Sequence, residues 1–137
     1  MVSASPSVNT DDAPALAEAI VHHATKLCET TDHLWRVIGE VSIPTTGLTD
    51  RRQQHKVTYG TEIIVRIYIY QQIYGLTQSE VATRLGNRPA LLKELGVSKA
   101  STQQNLSYAY EQFSSQTTAI LDAAATGIAQ AAVDQGI

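Results

Sequence analysis

The sequence predicts an all-α protein, a small helical bundle containing a helix-turn-helix-like unit, and three observations carry the prediction. Apolar residues recur at three- and four-residue spacing along most of the 137 positions. Helix punctuation is dense between Leu76 and Phe113, where Thr77, Ser98, Pro89, Gly86 and Gly96 all stand at start or stop positions. The one stretch that alternates like a strand, Ile63, Val65, Ile67 and Ile69, also carries a helical stripe of Ile63, Ile67, Tyr70 and Tyr74, is longer than a typical strand and holds no internal Gly or Pro.

Residues 1–12 read as a flexible leader without periodicity. Asp11 and Asp12 before Pro14 resemble an acidic cap followed by a first-turn proline, so a helix is expected from Ala13 to Glu29 with Leu16, Ile20, Ala24 and Leu27 packed. Thr31 and Asp32 then cap a short segment in which Leu34, Trp35 and Ile38 are available for burial and Gly39 supplies the stop. The Pro44-Thr45-Thr46-Gly47 turn makes residues 13–49 an N-terminal helical segment with a linker. A supporting helix is expected over Thr61 to Tyr74, ended by Gly75.

The next three helices define the unit at 50–113. Thr77 and Glu80 form a capping box, Val81, Ala82 and Leu85 face inward, and Gly86 is the expected terminator. Asn87 and Pro89 open a second helix from about Arg88 to Leu95, stopped by Gly96. Ser98 is the expected cap of a third, whose packed face holds Thr102, Leu106, Ala109, Tyr110 and Phe113. At about 100° per residue its outward face is Ala100, Ser101, Gln104, Ser107, Tyr108 and Glu111, with Gln103 and Asn105 on the flanks. Residues 114–137 form a last, Ala-rich helix in which Gly127 is a weak point.

The outward face of the third helix is polar and almost uncharged. Gln makes paired hydrogen bonds to an adenine edge and Ser donates to bases or phosphates, so Ser101, Gln103, Gln104 and Tyr108 are the candidate base contacts. A net charge of −3 conceals a division: residues 51–99 hold eight of the ten basic residues and three of the thirteen acidic ones, so that stretch is +5 and the remainder −8. Arg51, Arg52, Lys56, Arg84, Arg88, Lys93 and Lys99 are therefore the candidate phosphate contacts, and double-stranded DNA the expected partner.

Other functions find less support. Hydrophobic content of 43% with 17% charged residues is that of a folded soluble domain, and the apolar run near Ile63 is broken by Arg66, so no membrane segment is expected. Cys28 stands alone and no secretory signal is visible, which fits a cytoplasmic protein. His22 and His23 diverge on a helix and make no shared metal site, no nucleophile has a neighbouring base, and no Gly-rich loop suits a phosphate. No metal, cofactor, small-molecule substrate or catalytic residue is expected. The competing function is a helical protein–protein interaction or dimerisation domain, with a second copy of the chain as candidate partner, built on the small residues of the last helix.

The segment Tyr74-Gly75-Leu76-Thr77-Gln78-Ser79-Glu80-Val81, then Leu91 to Val97, then Ser101-Thr102 opening a polar helix, resembles the N-terminal DNA-binding domain of insertion-sequence transposases of the RNase H-fold, Asp-Asp-Glu type. Those proteins carry a Gly-Leu-Ser-Asp-Arg-Glu type segment, a short helix ending in Leu-Gly-Leu and a Pro-Asp-x-Ser-Thr turn in the same order. Lys99 and Ala100 replace the Pro-Asp here. The resemblance covers roughly residues 61–113 and implies recognition of transposon ends or an operator, without the carboxylates of the catalytic domain and hence without DNA cleavage.

Overall fold

The structure, a computed structural model, describes residues 8–53 and 59–137, with the backbone alone for 8–13. Its helices are α1 (Val8–Thr30), α2 (Leu34–Glu40), α3 (Thr61–Ile73), α4 (Gln78–Asn87), α5 (Pro89–Leu95), α6 (Gln103–Glu111) and α7 (Ser115–Asp134), with a 3-10 turn at Thr45–Gly47. Among the described residues there is no strand, only an isolated bridge between Asp50 and Phe113.

α3 is the axis of the bundle. Ile64 through Gln71 are buried without interruption, because α2, α4, α5, α6 and α7 all pack around this helix. A helix enclosed on every side needs no apolar stripe, which is why its sequence looked as much like a strand as a helix. Two polar side chains share that enclosure and both are satisfied. Arg66 Nη1 donates to the carbonyls of Ile38 (2.6 Å) and Val41 (2.9 Å), closing the C-terminal end of α2, while Nη2 pairs with the Glu62 carboxylate. Gln71 Oε1 accepts from the Tyr110 hydroxyl at 2.9 Å. Each wholly buried Ile or Leu here adds about 1.5–3 kcal/mol relative to exposure.

α1 and α7 form the second structural theme, packing along one another. Gly127 makes room for Val21 between them: a Cβ there would lie 2.4 Å from Val21 Cγ2. Gly127 is thus the place where the Val21 side chain is seated against α7, and not simply a weakness in the helix. The buried side chains form one cluster from Ala17 to Ala131, so the N-terminal helices, the 50–113 unit and the last helix share a single core. Residues 42–49 are tied into it: Leu48 is buried and the Thr49 amide donates to Thr117 Oγ1 at 2.7 Å.

Several helix ends differ from expectation, each for a local reason. Residues 8–12 of the expected leader are helical in α1, residues 1–7 lie outside the described residues, and Pro14 lies inside the helix, where its fixed φ is tolerated at the loss of one N–H bond. His33 replaces Thr31 and Asp32 as the cap of α2, its Nδ1 accepting from the Trp35 amide at 3.2 Å. Gly39 does not stop α2 but lies within it, against the Glu94 carbonyl of α5. Gly86 is also intrahelical, and Asn87 is the last residue of α4 and not a cap. Pro89 sets that break: its ring pushes the preceding residue out of the helical region, and Arg88 has φ −130° and ψ 87°. Gly75 and Gly96 do end α3 and α5, with φ of 64° and 75°. The Thr77–Glu80 capping box is present in both directions, at 3.1 and 2.8 Å. No described helix is long and apolar enough to cross a membrane.

Candidate nucleic-acid interface

α6 is capped by Thr102, whose Oγ1 accepts from the Asn105 amide at 3.1 Å, and not by Ser98. Leu106 and Ala109 are buried on its inner side, and Tyr110 and Phe113 stack on one another and edge-on against Tyr68 of α3. With that side fixed, Gln103, Gln104, Asn105, Tyr108 and Glu111 are exposed. Tyr108 is 56% exposed, one of two large apolar side chains left in solvent among the described residues. Gln103, Gln104 and Tyr108 thus occupy the surface that the sequence assigns them.

Ser101 does not. It lies before the cap, is 3% exposed, and its hydroxyl has no hydrogen-bond partner. The cap falls at Thr102 rather than Ser98, so residues 98–101 are not helical and the helical projection of Ser101 does not apply. A base contact through Ser101 is therefore excluded in this conformation.

The segment on either side of residues 54–58 braces α6 at both ends. At the C-terminal end the Arg51 amide donates to the Gln112 carbonyl (3.0 Å), and Arg51 Nη2 donates to the Glu111 carbonyl (3.0 Å). At the N-terminal end the hydroxyl of buried Tyr59 donates to the carbonyls of Lys99 (2.5 Å) and Ala100 (3.2 Å). Arg52 joins the two halves. Its guanidinium donates to the Asp50 carboxylate at 2.7–3.1 Å through Nε and Nη2, and to the Tyr59 carbonyl at 3.0 Å through Nη1. Burial opposes the charge on Asp50, but hydrogen bonds from Arg52 and Thr61 outweigh it and hold the carboxyl at about 2. Burial also raises the Tyr59 phenol, which stays a donor.

The candidate phosphate contacts separate accordingly. Arg52 is a buried structural cation, with 5% of its side chain exposed, and is withdrawn from the surface set because Asp50 and Tyr59 occupy its donors. Arg51 and Lys99 are exposed at opposite ends of α6. Arg88 and Lys93 are exposed on the α4–α5 junction and on α5. Arg84 is half-buried, donating to the Tyr70 hydroxyl at 3.2 Å and lying 5.9 Å from the Tyr74 ring centre; the Tyr70 bond raises its affinity for its proton. Lys56 lies outside the described residues. The structure thus gathers Arg51 and Lys99 around α6 and leaves Arg84, Arg88 and Lys93 on α4 and α5.

Sequence reasoning missed Asp50, Tyr59 and Thr61 as the framework of this surface. No periodicity could reveal them, since the Asp50–Arg52 pair and Tyr59 belong to irregular backbone, where side-chain spacing carries no repeat. Chemically the face offers amide and hydroxyl donors and acceptors between two cations, and among the described residues no three His, Cys, Asp or Glu side chains are grouped to hold a metal ion. Neither a protein-family model, nor a curated protein, nor a solved structure matches the chain.

Proposed function

We propose that this chain is a sequence-specific double-stranded DNA-binding module, with α4, α5 and α6 as a helix-turn-helix-like unit and α6 as the recognition helix. The observation that carries the reading is the exposed α6 face, where uncharged Gln103 and Gln104 and the Tyr108 ring lie between the cations Lys99 and Arg51. A solvated helix face is usually richer in Lys and Glu, whereas amides suit the donor and acceptor pattern of the major groove. Recognition helices contact bases chiefly through their N-terminal residues. That orientation inserts Gln103 and Gln104 and keeps the anionic Glu111 roughly 12 Å further along the axis, at 1.5 Å per residue. Arg51, Lys99, Arg88 and Lys93 then serve as phosphate contacts that position without specifying. On the transposase resemblance, the target is the end of a mobile element, and the module recognises it without cutting.

Selecting bound duplexes from a random pool, then measuring Gln104→Ala by fluorescence anisotropy at one salt concentration, tests the reading. The variant should lose roughly 1–3 kcal/mol on the selected duplex and far less on random DNA. An unchanged ratio in a folded variant removes Gln104 as a base reader. Absence of salt-dependent duplex binding by the parent chain would favour the helical interaction domain instead, for which Val133, 70% exposed on α7, is the supporting observation.

A further inference from the structure

Between the end of α5 and the cap of α6 the chain crosses residues 98–101 without a helix, and among the described residues no backbone–backbone hydrogen bond holds these four positions. What does hold them is the Tyr59 hydroxyl, shared between the carbonyls of Lys99 and Ala100. Tyr59 is itself anchored: its ring is buried, and its carbonyl is bonded by Arg52, which is locked to Asp50. Asp50 pairs with Phe113, and the next residue, Arg51, bonds to Glu111 and Gln112. One continuous set of contacts therefore fixes Lys99 before α6 relative to Arg51 behind it.

We infer that Tyr59 is a specificity-determining positioning residue: without touching DNA, its hydroxyl sets the place of Lys99 and of the α6 N-terminus relative to the rest of the interface. The inference rests on the DNA-binding reading above. Phosphate attraction tolerates small displacements because it falls off slowly with distance, whereas a bidentate base contact needs its side chain placed to within about 0.5 Å. Freeing the 98–101 segment should thus degrade discrimination and leave the electrostatic part of binding nearly intact.

The test is Tyr59→Phe, which keeps the buried ring and deletes the one hydroxyl. Affinities of the full chain for a selected duplex and for random duplex would be measured across a salt series, with the unfolding midpoint as a check on folding and Lys99→Ala as the comparison. The expected result is a fall of about tenfold or more in the preferred-to-random ratio, with the salt slope unchanged. Lys99→Ala should instead weaken both duplexes together and reduce the slope. If Tyr59→Phe leaves the ratio at the parent value, or lowers both affinities in parallel as partial unfolding would, the positioning role is wrong. If the parent itself shows no duplex binding, the functional reading fails first and the role of Tyr59 in it falls with it.

Discussion

Arg51 and Arg52 are adjacent, identical in chemistry, and should respond to alanine in opposite ways. Replacing Arg52 removes the guanidinium from the Asp50 carboxylate, whose side chain is 3% exposed, and from the Tyr59 carbonyl, leaving the carboxylate the amide of residue 52 (3.0 Å) and the Thr61 hydroxyl (2.8 Å) but no opposite charge. Breaking a buried pair from one side costs about 3–5 kcal/mol. Part of that cost is visible as a pH effect. Asp50 is depressed from 3.8 to about 2 in the folded protein, so its charge stabilises the fold above the unfolded value and the contribution is lost as pH falls through the folded one. At 1.36 kcal/mol per unit, that contribution is on the order of 2 kcal/mol at neutral pH, and the Arg52 guanidinium is the first of the groups that produce it. Urea unfolding of the parent and of Arg52→Ala at pH 7 and near pH 2.5 should therefore show a wide gap that narrows in acid. Arg51→Ala should cost no more than about 1 kcal/mol at either pH, the value of its one exposed bond to the Glu111 carbonyl, and instead reduce the salt slope of duplex binding by about 0.9. If the two variants are equally stable at pH 7, or if the Arg52 gap widens in acid, Asp50 and Arg52 are not a buried pair.

Three further substitutions test the frame. Thr77→Ala should lower the stability of the fold by about 1 kcal/mol in thermal or urea unfolding, the usual value of a lost helix cap, and an unchanged midpoint would deny the capping box its role. Gly39→Ala should be destabilising although Ala favours helix, because the new Cβ would fall 1.8 Å from a backbone oxygen of α5; calorimetry should show a lower melting temperature, and a higher one would mean that α2 can move away freely. Ser101→Ala removes a buried hydroxyl without a partner and should raise stability by about 1 kcal/mol in urea unfolding, whereas a loss would mean that the hydroxyl makes a bond after all.

The helices were legible where local chemistry decides them. The capping box at Thr77 and Glu80, the left-handed glycines at 75 and 96 and the first-turn Pro89 are signals contained within a few residues, and each element they mark is present. What the sequence misplaced depends on contacts between distant residues. Ser98 and Thr102 are both good caps preceding polar residues, and the segment between them is held outside the helix by Tyr59, forty residues upstream. Gly39 and Gly127 look like helix breakers until α5 and α1 are brought against them. Arg66 and Arg52 look like surface charges until the carbonyls of α2 and the carboxylate of Asp50 are in place. The outward set of α6 was readable from its period alone, apart from Ala100 and Ser101, which the true cap at Thr102 leaves outside the helix.

The pairing of α1 with α7 governs how the chain can be assembled during synthesis. Val21 leaves the ribosome more than a hundred residues ahead of Gly127, the residue whose missing side chain makes room for it. Until then α1 has α2 beside it but lacks α7, and α3 lacks the flank that α7 covers. Short-range contacts among α4, α5 and α6 close early at low entropic cost, whereas the contact between α1 and α7 closes a loop of about a hundred residues. The nascent chain therefore carries a formed α4–α6 unit on an unfinished core, and exposes apolar surface to chaperones and proteases until α7 emerges.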